Sequence, residues 1–278
     1  MNKLTGASLK VLLSCLPEGF MVDSKWLASK GYSRQSVHQY AASGWLERVA
    51  HGLYRRPLPL GLVPGSPDWL VPLASAQWMG YAVHVGGATA LNLNGYVHYL
   101  PLGDREVAYL YSDAPPSWFK RLELVSQVRF RSLKLFGGHK LGVECIGPES
   151  PVGGAALAAL RYPVAVSSVE RAVLETLDEL PNNEGFGSVD GVFESLTDLR
   201  PQLMANLLRL CRSVKVKRLF FVFADRHQHA WREHLHAADF DLGSGDRQLV
   251  TGGRLHPTYR ITVPAEFVPA AEGSNNGP

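Results

Sequence analysis

The sequence has few cysteines and no long apolar run. The three cysteines lie far apart in a chain of 278 residues, at Cys15, Cys145 and Cys211, which argues against a disulfide framework and against a cysteine-based zinc site. No stretch approaches the roughly 18 apolar residues of a membrane-spanning helix. The apolar start of the chain is interrupted by Lys10, is followed by Glu18 and lacks a cleavage site, so we predict a first helix and no signal peptide. We therefore expect a protein of a reducing cytoplasm with no membrane partner.

Catalytic and cofactor motifs are also absent from the sequence. It contains no G-x-S-x-G elbow, P-loop, dinucleotide fingerprint or H-E-x-x-H motif. The glycines of 85–91 and 243–247 lack the partner residues of a phosphate loop and are typical of turns. Asp225, Asp239 and Asp241 would form a nuclease-like metal cluster only if the fold brought them together. We predict no enzyme activity and no cofactor, and keep a nucleic-acid enzyme as an alternative.

Four histidines lie close together near residue 230. They are His227, His229, His234 and His236, with Asp225 nearby, and their spacings are two, five and seven residues. Metal sites often use two histidines at i and i+4 on one helix face, a spacing that this group lacks. We favour a polar helix with packing or capping histidines and predict no metal site.

Positive charge is concentrated at the start of the chain. Residues 1–60 hold eight Lys and Arg against three Asp and Glu, while the remainder holds 20 against 22. A basic segment of this kind is the electrostatic footprint of a polyanion-binding surface. Ordinary variation of a solvated surface is the alternative on charge alone.

The same segment contains three short helical patterns. Apolar residues recur with helical spacing from about residue 5 to residue 16. Asp23 or Ser24 can cap a second helix that ends at Gly31, and Ser33 can cap a third helix of about ten residues. Two short strands follow, with a glycine turn between them. Helix, helix, turn, helix and two-stranded wing is the order of a winged helix-turn-helix, which we assign to residues 1–57.

The third helix of this unit has a polar face suited to reading DNA bases. Arg pairs with guanine and Gln with adenine in the major groove, and the N-terminal residues of such a helix face the bases. Basic residues of the second helix and the wing would meet phosphates. The predicted DNA-binding residues are Lys25, Lys30, Ser33, Arg34, Gln35, Ser36, His38, Gln39, Arg48, His51, Arg55 and Arg56. A protein-contact module with merely solvated side chains is the alternative.

The rest of the chain predicts a second, larger domain. Prolines and glycines of residues 58–68 indicate a linker, residues 69–265 mix helical and strand patterns, and residues 266–278 are typical of a disordered tail. The predicted fold class is α+β with two domains: an N-terminal winged helix-turn-helix followed by a larger mixed α/β domain.

Three local patterns in this second domain carry specific expectations. Ser167 and Glu170 match a capping box. The spacing of Val216, Leu219, Phe220 and Phe223 fits a helix, whereas the unbroken apolar run 219–223 fits a buried strand, and we favour the helix. Residues 247–264 fit a closing hairpin with its turn at Gly252–Gly253.

A strand at 127–136 alternates apolar and basic residues. Its basic side chains, with one that follows, form a possible second patch: Arg129, Arg131, Lys134 and Lys140. A solvated strand face is one interpretation. A surface that follows the DNA backbone, or contacts RNA or an acidic protein, is the other.

With both parts in view, the chain resembles the AbiEi family of antitoxins from type IV toxin–antitoxin (abortive infection) systems. The resemblance rests on the segments 21–57, 84–101, 167–181, 214–231 and 241–264, among them "HVGGATALNLNGYVHYLP" and "SSVERAVLETLDELP". None of them is a catalytic motif.

The resemblance implies a bacterial protein whose winged helix binds inverted repeats in double-stranded DNA of its own promoter and represses the operon. Its second domain would antagonise a nucleotidyltransferase-like toxin without a stable complex. The family's DNA-contact positions carry over to Arg34, Gln35, Ser36, His38, Gln39, Arg48, His51, Arg55 and Arg56. A stand-alone regulator with a ligand-sensing second domain and an RNA-binding protein remain alternatives.

Overall fold

The chain is α+β, as predicted, in a computed structural model that describes residues 8–58, 67–96, 107–147, 149–150 and 162–269. The helices are α1 (Leu9–Cys15), α2 (Ser24–Ser29), α3 (Arg34–Ala42), α4 (Leu70–Trp78), α5 (Gly87–Leu93), α6 (Val169–Glu179), α7 (Phe186–Ser195), α8 (Pro201–Leu210) and α9 (Val214–His227). The strands are β1 (Met21–Asp23), β2 (Glu47–Ala50), β3 (Leu53–Arg55), β4 (His84–Val85), β5 (Val107–Tyr111), β6 (Gln127–Arg131), β7 (Val143–Ile146), β8 (Val164–Ser167), β9 (Arg254–Leu255) and β10 (Thr262–Val263).

The residues group into two compact units whose segments alternate along the chain. The first unit comprises Met1–Val85, Pro101–Ser132 and Glu144–Val166. The second unit comprises Gly86–Leu100, Leu133–Val143 and Ser167–Pro278. The sequence predicted different boundaries, with a linker at 58–68 between two consecutive domains. Those boundaries remain a prediction.

The first unit begins with a three-helix, three-strand module. Its sheet has the antiparallel order β1-β3-β2, with a register shift in β2 between Arg48 and Ala50. Apolar side chains from all three helices, from β3 and from the residues next to α1 and β2 are buried in its core: Leu12, Leu16, Leu27, Val37, Leu46 and Leu53. We call residues 8–58 the winged-helix module. The strand β1 was not expected from the sequence.

The helix starts predicted for this module are confirmed. Asp23 Oδ1 accepts from the Trp26 amide at 2.7 Å, and Ser33 Oγ accepts from the Ser36 amide at 3.0 Å. Each bond satisfies an amide that the first helical turn leaves without a backbone partner. Gly52 forms the wing turn with φ +69, a left-handed conformation that glycine adopts without steric cost. The first helix is capped by Ser8, and the predicted start near residue 5 lies outside the described residues.

A five-stranded sheet of order β6-β5-β4-β8-β7 forms most of the rest of the first unit. β5 pairs with β6 and β4 with β8 in parallel, while β4 and β5 are antiparallel. The helix α4 buries Leu70 and Leu73. The Gln77 amide group joins α4 to the backbone of Val83 and Ala165 at 2.9–3.3 Å. The strands β4, β5 and β8 are mostly buried, which agrees with their apolar sequences, whereas β6 and β7 are partly exposed.

The second unit is mainly helical around α6 and α9. The ambiguous apolar run 219–223 lies in the helix α9, where Phe220, Phe221 and Phe223 are fully buried. All residues of 216–224 are buried, so this part of the helix is enclosed on nearly all sides. On α6, Arg171 and Glu175 are buried as an ion pair with a 2.8 Å contact. Arg171 also donates to the His139 and Leu141 carbonyls, and its guanidinium lies 4.4 Å from the Phe136 ring centroid.

Two local predictions for this unit are wrong. The cap of α6 is Ser168, one residue after the expected Ser167, whose hydroxyl instead donates to Glu175. The expected partner Glu170 binds Arg200, with contacts at 2.8–3.0 Å. The hairpin β9–β10 pairs Leu255 with Thr262, so its connection is 256–261, and Gly252–Gly253 precedes the first strand.

Candidate nucleic-acid interface

The outer face of α3 is polar and exposed, and the first residue of the helix is fixed by a side-chain cap. Arg34, Gln35, His38 and Gln39 are exposed, while Val37 on the opposite face is 5% exposed and lies in the module's core. In the part of the chain that the structure describes, none of these four polar side chains has a side-chain partner. They are therefore available to hydrogen-bond a ligand without first breaking a bond within the protein.

Unlike these four residues, Ser33 and Ser36 have side-chain partners within the protein. Their hydroxyl oxygens lie 2.8 Å apart, and Ser33 also caps the helix. A helix N-terminus carries a partial positive charge and unpaired amides, which favours an anion such as a phosphate there. The two serines thus have a structural task in setting where α3 begins, in addition to the DNA contact predicted for them.

The two lysines predicted in this region lie at α2. Lys25 and Lys30 are exposed, and Lys30 Nζ lies 5.6 Å from the Trp26 ring centroid. Trp26 itself packs against Trp78, with ring centroids 4.8 Å apart. The Lys30 ammonium thus lies over the Trp26 ring and keeps access to solvent.

The four basic wing residues fall into two classes. Arg48 and His51 are exposed, and within the described ranges their side chains make no hydrogen bond or ion pair. Arg55 is paired with Glu47, which accepts from Nε at 2.9 Å and from Nη2 at 2.5 Å.

Arg56, the last residue of this basic group, binds the end of the first helix. Its Nη1 donates at 2.6 Å to the carbonyls of Leu13 and Leu16, and its Nη2 lies 3.1 Å from Glu18. A basic side chain satisfying the last carbonyls of a helix is a common C-terminal cap. The structure thus gives Arg56 a folding role that sequence reasoning missed.

Trp45 is a surface feature that sequence reasoning missed. It lies between α3 and β2, its amide donates to the Tyr40 carbonyl, and its side chain is 51% exposed. An indole this exposed beside a polar helix face offers apolar contact to a sugar or base. The signal in the sequence was an aromatic residue directly after the helix-ending Gly44.

The proposed second basic patch does not lie on a single strand. β6 ends at Arg131, and Lys134 falls in the 3-10 turn Leu133–Phe136. The Arg129 and Arg131 guanidiniums lie 6.0 and 5.4 Å from the Tyr109 ring centroid on β5. Arg129 and Arg131 belong to the first unit, and Lys134 and Lys140 belong to the second. The predicted alternation therefore holds only as far as Arg131.

The histidine-rich segment is not one helix. α9 ends at His227 because Gln228 adopts a left-handed conformation at φ +50. His227 Nε2 lies 2.7 Å from Asp190 Oδ1, and His229 Nε2 lies 2.7 Å from the Phe193 carbonyl. His229 also stacks on Trp231, which packs on Phe220.

Among the described residues, no group of three His, Cys, Asp or Glu is placed to hold a metal ion. No helix in the described ranges is both long and apolar enough to cross a membrane.

Comparison with known proteins gives a family and a fold. The AbiEi antitoxin N-terminal domain model, of a transcriptional regulator, matches residues 5–102. The model described as transcriptional regulator, AbiEi antitoxin, type IV TA system, matches residues 105–264. A crystal structure of the RV2827C protein from Mycobacterium tuberculosis is similar at 14% identity, with a TM-score of 0.54, and the similarity covers 91% of this chain and 88% of that one. No curated protein matches the chain.

Proposed function

The chain belongs to the AbiEi family of antitoxins, transcriptional regulators of type IV toxin–antitoxin systems, and from that premise we propose that it represses its own operon by binding inverted repeats in the promoter. The observation that carries the proposal is the exposed face of α3. There Arg34, Gln35 and Gln39 lie together on a short helix that Ser33 caps. A B-DNA major groove accepts one such helix, and these residue types are the ones that read guanine and adenine.

The exposed basic residues around α3 supply the sequence-independent part of the affinity. Lys25, Lys30 and Arg48 would contact phosphates on either side of the helix, while Arg55 and Arg56 contribute less because they are already bound within the module. If about four phosphates are neutralised, log affinity falls with log salt at a slope of about −4.

The antitoxin part of the proposal rests on the family. We infer that the protein antagonises a nucleotidyltransferase-like toxin without a stable complex, in the cytoplasm of a bacterium. The family is one of regulators and antitoxins and is not known as an enzyme family. Cysteine usage agrees with this setting, because Cys15, Cys145 and Cys211 are all free thiols.

A DNA titration tests the repressor part. The full chain is titrated against its own upstream DNA and a scrambled duplex of equal length at two salt concentrations. We expect at least 10³-fold tighter binding to the upstream DNA, the lower end of specific protein–DNA recognition. Equal affinity for both duplexes would contradict autorepression.

A growth assay tests the antitoxin part separately. The neighbouring gene is expressed with the wild-type chain or with Arg34→Ala. We expect both to restore growth, since the variant changes only a DNA-facing side chain. If the wild-type chain does not restore growth, the antitoxin role is contradicted and a stand-alone regulator is favoured.

A further inference from the structure

Asp23 lies where the winged-helix module meets the rest of the first unit. It is the last residue of β1, caps α2 and is 5% exposed. While Oδ1 accepts the capping bond from Trp26, Oδ2 accepts from the Tyr81 hydroxyl at 2.5 Å and from Trp118 Nε1 at 3.0 Å. One buried carboxylate therefore receives three donors from three separate segments.

The two side-chain donors belong to the sheet part of the first unit. Tyr81 lies between α4 and β4, and Trp118 lies in the 3-10 turn Ser117–Arg121 after β5. Trp118 is 2% exposed and stacks on Phe119, so its indole position is set by the core. The carboxylate of Asp23 thus joins the first helix of the helix-turn-helix to groups whose places the sheet determines.

Two further hydrogen bonds also join β1 to α4. The Met21 amide donates to Ser75 Oγ at 2.9 Å, and the Asp23 amide donates to Met79 Sδ at 3.4 Å. These bonds hold the strand against α4, whereas the Asp23 side chain also reaches the start of α2, where Trp26 packs on Trp78 of α4. Because a short turn separates α2 from α3, the direction of α2 sets the direction of the recognition helix.

We infer that Asp23 is a positioning residue for DNA reading: its second carboxylate oxygen, held by Tyr81 and Trp118, fixes the direction of α3 relative to the five-stranded sheet. The inference rests on the proposed DNA-binding function. It makes the winged-helix module a fixed part of the first unit and not an independently tethered head.

The ionisation of Tyr81 agrees with this geometry. Burial, followed by the hydrogen bond to Asp23 and the charge of that carboxylate, raises the pKa of Tyr81 to about 12. Tyr81 therefore stays protonated and donating throughout the neutral range.

Two variants separate positioning from capping. Tyr81→Phe removes one donor and leaves the cap intact. Asp23→Ser keeps a good capping oxygen but has no second oxygen for Tyr81 and Trp118. The control is Tyr162→Phe, since Tyr162 is 38% exposed and packs on Phe20 through its ring.

The measurement is the ratio of affinities for upstream and scrambled DNA, with its salt slope, in the full chain. Hydrogen exchange of the α2 and α3 amides is followed in the same proteins. We expect Tyr81→Phe to lower the affinity ratio about tenfold, the value of a hydrogen bond to a charged group. The salt slope should stay the same, because no phosphate contact is lost, and α2 and α3 should exchange faster. Asp23→Ser should have the larger effect, and Tyr162→Phe none.

Other outcomes of the same measurements would contradict the inference. A lower melting temperature with an unchanged affinity ratio would show that Asp23 only stabilises the fold and would overturn the inference. If the wild type does not prefer upstream DNA, the proposed function fails by itself. In that case hydrogen exchange alone tests whether Asp23 positions α3. If the α2 and α3 amides of Tyr81→Phe exchange as slowly as in the wild type, the positioning role is overturned. Should Asp23→Ser fail to fold, Tyr81→Phe carries the test.

Discussion

Arg55 and Glu47 face each other across the wing, and both guanidinium contacts, at 2.9 and 2.5 Å, reach the same carboxylate oxygen. The two side chains are 34% and 45% exposed, so solvent screens the pair and its contribution to stability is small. The pair matters more for the net charge of the wing, because Glu47 already neutralises the Arg55 charge in the free protein. Among the described residues, the Arg48 side chain is exposed and unengaged, so we expect it to be the wing's main phosphate contact.

The first prediction follows from this pairing. We expect Arg48→Ala to weaken binding to upstream and scrambled DNA alike and to reduce the salt slope by about one. Arg55→Ala should change the slope less, because Glu47 already pairs with that guanidinium. Salt-dependent titrations of both variants measure the difference. A larger slope change for Arg55→Ala would show that the ion pair opens on DNA.

The second prediction concerns base reading by Arg34. We expect Arg34→Ala to reduce discrimination between upstream and scrambled DNA by about 1–3 kcal/mol, because a bidentate guanine contact is lost. Lys10→Ala, at an exposed residue of α1 outside the interface, is the control. Competition titrations give both values. Equal losses on the two duplexes would remove Arg34 from base reading.

The third prediction concerns stability and Arg56. We expect Arg56→Ala to lower the free energy of unfolding by about 1–3 kcal/mol, because the Leu13 and Leu16 carbonyls lose a shared charged donor. Arg121→Ala, at an exposed residue of the same unit, should stay within about 0.5 kcal/mol of the wild type. Denaturant unfolding compares them. Equal stability of both variants would argue that the helix end needs no side-chain cap.

The fourth prediction concerns the buried pair of the second unit. Glu175 accepts from Arg171, Ser167 and the Gly87 amide and is fully buried. We expect Glu175→Gln to cost about 3–5 kcal/mol, because the Arg171 charge stays buried without its counter-ion. Asp178→Asn, whose side chain is 44% exposed beside Lys215, should cost less than about 1 kcal/mol. Similar losses in both would mean that Arg171 finds another partner or becomes hydrated.

The fifth prediction concerns alkaline pH. Burial, reinforced by the hydrogen bond to Asp225, raises the pKa of Tyr259 to about 12, and burial raises the pKa of Cys211 to about 11. With Tyr81, these groups bind their protons more tightly when folded than at their ordinary values of 10.0 and 9.0. Their contribution is complete below pH 9, and the free energy of unfolding should fall as the pH rises from 9 to 12. Tyr81→Phe should make the fall between pH 10 and 12 shallower, as pH-jump unfolding would show.

The parts of the fold that were predictable from the sequence depend on local chemistry. Asp23, Ser33 and Gly52 each satisfy a neighbouring backbone group or a required φ, so the winged-helix elements could be placed from short patterns. β1 could not be predicted, because its three residues are strand only through pairing with β3, which lies some thirty positions later.

The candidate site shows the same limit. The exposed face of α3 follows from helical periodicity around Val37, but the partners of Arg55 and Arg56 depend on tertiary contacts. Glu18 and the carbonyls bound by Arg56 lie about 40 residues earlier in the chain. The one-residue error at Ser167 has a more local cause: Ser167 ends β8, and its hydroxyl donates to Glu175 of α6, eight residues later. The DNA contacts themselves stay a prediction.

The alternation of the two units along the chain limits how this protein can evolve. Its segments follow the order first, second, first, second, first, second, so no single breakpoint in the gene separates one unit from the other. Recombination with a relative would therefore divide at least one hydrophobic core between two ancestries. If α3 reads the operator as we propose, a new operator preference is reached more easily by point substitutions on the surface of α3 than by exchange of a whole DNA-binding domain.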